Sequence, residues 1–141
     1  MSRTLFAALA TVLFGIATPA LATDFPANAD GQIAFGTPTG NIGCVYTPAG
    51  GTAVYQPVGG GPELQCDRVH PTYQRVILGP HGAAKKYVNV GDASCCGGDP
   101  ALAYGSTWAK GGFSCLSTVK GLVCSRGSHG FKVSKKSITI Y

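Results

Sequence analysis

Residues 104–141 read YGSTWAKGGFSCLSTVKGLVCSRGSHGFKVSKKSITIY, and the period of this stretch decides the fold. Phe113, Cys115 and Ser117 alternate with Ser114 and Leu116, and past a turn at Lys120 and Gly121 the alternation resumes through Leu122 and Cys124. A period of two belongs to strands, so the segment reads as a β-hairpin. Its cysteines fall at matching heights on the two arms. This predicts a cross-strand Cys115–Cys124 bridge, worth about 3 kcal/mol through loop closure in the unfolded chain. Phe131 and Val133, then Ile138 and Ile140, carry the same pattern to the end of the chain.

Upstream, the same pattern repeats in short runs separated by Gly, Pro and Asn. Residues 33–35 and 42–46 form two strands around a GTPTGN turn, whose residues supply fixed or positive φ. Residues 52–58 (TAVYQPV) alternate but contain Pro57, which suits an edge strand. Residues 63–69 (ELQCDRV), 74–78 and 85–90 (KKYVNV) are further strands, and residues 102–105 are one more short extended piece. Pairing the 63–69 run with the first hairpin brings Cys66 to Cys44. No helical period survives beyond the amino-terminal segment. The expected architecture is therefore all-β: one small antiparallel sandwich or barrel-like domain stapled by disulfides.

The amino-terminal segment has a different grammar. Arg3, an apolar run from Leu5 to Ile16, and Ala20-Leu21-Ala22 form the basic, hydrophobic and small-residue parts of a signal peptide, with cleavage expected after Ala22. An uncleaved anchor is the alternative, since the run is barely long enough to span a bilayer. The expected organisation is a signal peptide over 1–22, a mobile leader over 23–31 and the β domain over 32–141. No later run is long and apolar enough to cross a membrane as a helix.

Six cysteines (Cys44, Cys66, Cys95, Cys96, Cys115 and Cys124) behind a signal sequence predict a disulfide framework in a periplasmic or extracellular setting. Charged residues are 12% of the chain and glycines number 21, so turns and bridges replace salt-bridged helices as organising devices. Charge is divided unevenly. Residues 105–141 hold six basic side chains and no acid, whereas residues 23–104 hold four basic against six acidic. A basic terminal module attracts an anionic envelope polymer or a lipid surface; nucleic acid is the less favoured partner. Lysines on exposed strands also keep edges soluble without any ligand.

Cys95 and Cys96 are adjacent. Successive Cα atoms lie about 3.8 Å apart across a trans peptide, short for a disulfide, so a mutual bridge would be more reducible than most. Two reduced thiols, or separate partners for the two sulfurs, are the alternatives. His70, His81 and His129 lack metal-ligand spacing, and no metal or cofactor is expected. A triad of Ser128 or Ser114 with His129 and Asp99 exists on paper, without a GxSxG elbow. The glycine-rich stretches precede no helix, which removes phosphate-loop readings. Catalytic residues are therefore not assigned. For binding, Trp108 between glycines reads as an exposed contact residue, with Lys110, Arg126, His129, Lys132, Lys135 and Lys136 as its basic surroundings.

Several motifs resemble a family of small secreted bacterial proteins known as a domain of unknown function, whose pattern runs FxxPSGNIxC, CDI or CEI, CxGDT, YG, FxCxS with GxxC, and GHGFxxSR. The matching segments are FGTPTGNIGC over 35–44, Cys66-Asp67-Arg68, CGGDP over 96–100, Tyr104-Gly105, FSCLS over 113–117, GLVC over 121–124 and SHGFKVSK over 128–135. The resemblance covers residues 35–141 and implies a fold and an export route, not an activity. Arg68 stands where the family has Ile. A family cysteine soon after CDI is missing and Cys95 appears instead, so the third bond would be rewired locally.

The function expected from the sequence is non-enzymatic binding or structural work at the cell envelope through the basic module. A small enzyme or redox-active protein using Cys95 and Cys96 is the alternative, and a secreted hydrolase inhibitor is a third.

Overall fold

The computed structural model describes residues 15–141, so the expected basic n-region and most of the apolar run lie outside the described residues. Eleven strands follow in chain order: β1 (Leu21–Ala22), β2 (Ile33–Gly36), β3 (Ile42–Thr47), β4 (Glu63–Arg68), β5 (Gln74–Leu78), β6 (Lys85–Tyr87), β7 (Ser106–Lys110), β8 (Phe113–Thr118), β9 (Gly121–Arg126), β10 (His129–Val133) and β11 (Ile138–Ile140). They form two sheets, β2-β3-β4-β5-β6 and β1-β7-β8-β9-β10-β11. Each is an antiparallel meander, except that β1 joins β7 in parallel. Apart from β1, the chain thus completes one sheet before it starts the other. The all-β expectation holds.

Register explains which side chains are buried. On the inner face of the first sheet, Phe35, Cys44, Cys66 and Val76 occupy one transverse row, and Ile33, Tyr46, Leu64 and Leu78 occupy the next. The second sheet answers with Trp108, Phe113, Cys115, Leu122, Cys124, Phe131 and Val133. Aromatic rings join the layers: Phe35 and Trp108 lie 4.9 Å apart between centroids, Tyr46 and Trp108 5.9 Å, and Tyr46 and Phe113 6.1 Å. Edge-on and tilted pairs at these separations each add about 0.5–1.5 kcal/mol beyond area burial. Arg126 ties the sheets at one side by donating from Nε to the Gly79 carbonyl at 2.6 Å.

Cys44 pairs with Cys66 and Cys115 with Cys124, as the alternation predicts, because each pair is directly opposed in register. Cys95 bridges Cys96, so no cysteine is free.

Four expectations change. Trp108 is 2% exposed rather than a surface contact, because Gly111 and Gly112 form the β7–β8 turn and leave Trp108 opposite Cys115 on the inner face. Residues 52–58 form no strand: Thr52 Oγ1 accepts from the backbone N–H groups of Val54 and Tyr55, and this local bonding competes with a ladder. A short 3₁₀ turn, Val58–Gly60, follows. The 85–90 run pairs over Lys85–Tyr87 alone, and residues 102–105 give no strand, although Leu102 enters the core beside the Gly36–Ala101 bridge. Within residues 23–31, Phe25 is half-buried and stacks on Phe35 at 5.4 Å, while residues 26–30 are exposed.

Candidate ligand cleft

At one end of the sandwich the turns of both sheets and the crossover between them surround a cleft of about 930 Å³. Hairpin geometry delivers its walls. The β2–β3 turn contributes Thr39 and Asn41, the β8–β9 turn contributes Val119 and Lys120, and the β10–β11 turn contributes Lys135 and Lys136. The crossover from β6 to β7 contributes Cys95, Cys96 and Tyr104. Three lysines therefore line the cleft, and no Asp or Glu does.

The Cys95–Cys96 bridge rests on Gly43. In β3, Cys44 points inward, so Gly43 faces outward, and a Cβ there would come within 2.5 Å of Cys95 Sγ and 2.7 Å of Cys96 Sγ. Only a residue without a side chain leaves room for both sulfurs. Cys96 Sγ also lies 3.8 Å from the Asp67 carbonyl oxygen. A disulfide sulfur carries no proton, so this is packing and not a hydrogen bond.

A buried charge network braces the same loop. Asp67, the register partner of Gly43, receives two hydrogen bonds from Arg75, Nε to Oδ1 and Nη2 to Oδ2, each 2.8 Å. The Tyr73 hydroxyl donates to Asp67 Oδ2 at 2.5 Å and accepts from the Cys95 N–H at 3.1 Å. Arg75 Nη1 donates to Asp92 Oδ1 at 2.9 Å, so one guanidinium holds both the strand and the start of the loop. Hydrogen bonding to Asp67 holds the Arg75 guanidinium well above its ordinary pKa, against the opposing effect of burial. Burial, reinforced by the bond to Asp67, pushes the Tyr73 phenol upward.

Arg68 points into the sandwich instead, on the face it shares with Leu64 and Cys66, and is 3% exposed. It donates from Nη1 to the Ser134 carbonyl at 3.2 Å and from Nη2 to Gln74 Oε1 at 2.9 Å. Burial lowers its pKa. Ser134 directly precedes Lys135 and Lys136, so Arg68 anchors the turn that carries both cations. Asn41 performs the equivalent task on the other sheet, accepting from the His70 N–H at 2.7 Å and donating to the His70 carbonyl at 3.0 Å. The rim hydroxyls serve the turns: Thr118 Oγ1 donates to the Gly121 carbonyl at 2.9 Å, and Ser134 Oγ to the Ser137 carbonyl at 3.2 Å. The walls are thereby held in shape while the lysines remain exposed.

Of the residues singled out in the sequence, the cleft gathers Lys135, Lys136, Cys95, Cys96 and His70. It does not include Lys110, Lys132, Arg126 or His129. Arg126 is spent on the Gly79 and Gly82 carbonyls, at 2.6 and 3.4 Å, and His129 opens β10 opposite it. Asp99 lines a separate depression of about 290 Å³ whose lining contains neither His129 nor a serine, so the paper triad does not assemble there. Among the described residues no three His, Cys, Asp or Glu side chains converge as a metal site. Sequence reasoning missed Lys120 as a cleft residue and Gly43 as the seat of the sulfur pair. Lys120 was legible as a hairpin tip; nothing local distinguishes Gly43 from other strand glycines.

No family model matches the sequence, and comparison with curated proteins and with solved structures found no match.

Proposed function

We propose that this chain is an exported, non-enzymatic binding module of the cell envelope that holds the anionic groups of an envelope polymer in the cleft at the end of its sandwich. One observation carries the reading: Lys120, Lys135 and Lys136 converge on one concavity that no acidic residue lines. Field lines from like charges concentrate in a concave site with low-dielectric walls, which favours counter-charged ligands over a flat basic surface. The volume is in the range of ligand sites. Export agrees with three bridges that consume all six cysteines, a state sustained in oxidising compartments. Among the described residues no helix is long and apolar enough to cross a membrane. The family resemblance adds an export route and no activity, so the cleft alone supplies the function.

Retention on immobilised heparin and on immobilised polyphosphate tests the reading. The wild-type protein is expected to bind at low salt and elute as salt screens the contact. Charge reversal of Lys120, Lys135 and Lys136 abolishes retention, whereas reversal of Lys110 and Lys132 leaves most of it. Equal retention of both variants would remove the cleft as the site.

A second reading rests on the position of the sulfur pair. Cys95 and Cys96 line the cleft, where a dithiol can reach them and exchange, its own two thiols becoming a disulfide as Cys95 and Cys96 take up two protons and two electrons. Alkylation after mild dithiol treatment should label Cys95 and Cys96 ahead of the four core cysteines; labelling in the reverse order would exclude it.

A further inference from the structure

The anionic reading uses the three lysines and leaves the Cys95–Cys96 bridge without a task. A disulfide stabilises a fold largely by closing a loop in the unfolded chain, and at a sequence separation of 1 this one closes almost nothing. The fold nevertheless reserves Gly43 beneath it and braces its loop through Tyr73, Asp67 and Arg75. The arrangement makes sense as a surface. Two sulfurs and their methylenes form a polarizable plate with no hydrogen-bond donor, partly buried and open to the cleft. The Tyr104 ring, 45% exposed, lines the same cleft.

Apolar plates beside three cations match a ring that is apolar on its face and anionic at its edge. We propose that the cleft recognises an acidic saccharide: a pyranose lies with its C–H face against the Cys95–Cys96 plate and Tyr104, while its carboxylate or phosphate meets Lys120, Lys135 or Lys136. This rests on the anion-binding reading and adds the sugar ring to it. A neutral sugar would leave the lysines without a counter-charge, and a polyanion without rings would leave the plates wet. Carboxylate and phosphate share this chemistry, so both forms belong in the test.

Titration calorimetry of the oxidised protein with four probes decides the matter: an oligogalacturonate, a phosphorylated mannan oligosaccharide, maltohexaose, and inorganic polyphosphate of matched charge. At least one acidic sugar is expected to bind more tightly than both polyphosphate and maltohexaose. Gly43→Ala, which displaces the plate without touching a charge, and Tyr104→Ala should each weaken that sugar about five- to tenfold and weaken polyphosphate by much less. Tyr104→Ala alters an exposed side chain and keeps the test valid if Gly43→Ala does not fold. Polyphosphate binding as tightly as either sugar, with no effect of Tyr104→Ala, overturns the saccharide and leaves the anionic cleft standing. Failure of all four probes to bind overturns both.

Discussion

Asp67 has a side chain 4% exposed and is engaged by Arg75 at two oxygens and by Tyr73 at one. A carboxylate so enclosed tolerates ionisation because three donors replace water, and removing its charge leaves the guanidinium that faces it with only the exposed Asp92 as a charge partner. Asp67→Asn should therefore destabilise the protein by about 3 kcal/mol, read as a lower urea midpoint at unchanged m, with the loop at 92–96 released and Cys95 more accessible to reductant. The phenols make a pH prediction. Tyr46, Tyr55 and Tyr73 are all pushed above the ordinary value by burial, with hydrogen bonds to Glu63 and Asp67 adding to the shift in Tyr55 and Tyr73. A raised folded-state pKa means that the unfolded chain releases its proton first as pH climbs. The stability these groups contribute is complete below about pH 10 and falls as pH rises through their folded values. Thermal melts between pH 8 and 12 should show this loss, and Tyr73→Phe should start lower at pH 8 and fall less steeply. At this scale the sequence was only partly legible: alternation made a strand of residues 63–69, but nothing local revealed that Asp67 faces Arg75, which requires the β4–β5 register.

The strands and their bridges form the next scale, and here the alternation of apolar residues was most informative. Both hairpin bridges follow from it, because cysteines directly opposed in an antiparallel pair have their Cβ atoms close enough to join. What alternation misread was a segment whose local chemistry competes with pairing, the Thr52 turn, and the length of the run after Lys85, which pairs only as far as Tyr87. The three bridges should differ in their contribution. Cys44–Cys66 spans a separation of 22 residues and Cys115–Cys124 a separation of 9. Loop-closure entropy then assigns about 3.4 and about 2.6 kcal/mol to them. Cys95–Cys96 contributes close to none by that route. Paired Cys→Ala variants measured by urea denaturation should follow this order, with the vicinal variant nearest wild type in stability yet defective in cleft binding. A vicinal variant as unstable as the other two would show that the pair is a staple after all.

Across the whole molecule, both long bridges lie within a sheet and neither crosses between sheets: Cys44–Cys66 joins β3 to β4, and Cys115–Cys124 joins β8 to β9. The sandwich is thus closed by its aromatic core together with Arg68 and Arg126, which reach from one sheet to the other. Composition did not reveal this division of labour, because a modest core and six cysteines suggest that sulfur does most of the holding. Trp108 is central, packed against Phe35 and Tyr46 of the facing sheet. As the single tryptophan of the chain it also reports on the interface directly. Its emission should be blue-shifted, resistant to acrylamide and insensitive to cleft ligands. Trp108→Ala should cost about 3–5 kcal/mol even with every disulfide intact, because the cavity opens between the layers where no covalent link compensates. Reduction and alkylation of the wild type should lower the melting temperature yet preserve a cooperative transition, since the two meanders still bury their shared core. If instead the oxidised Trp108→Ala protein melted like wild type while the reduced protein lost cooperativity, the sheets would be held by sulfur and the aromatic interface would be incidental.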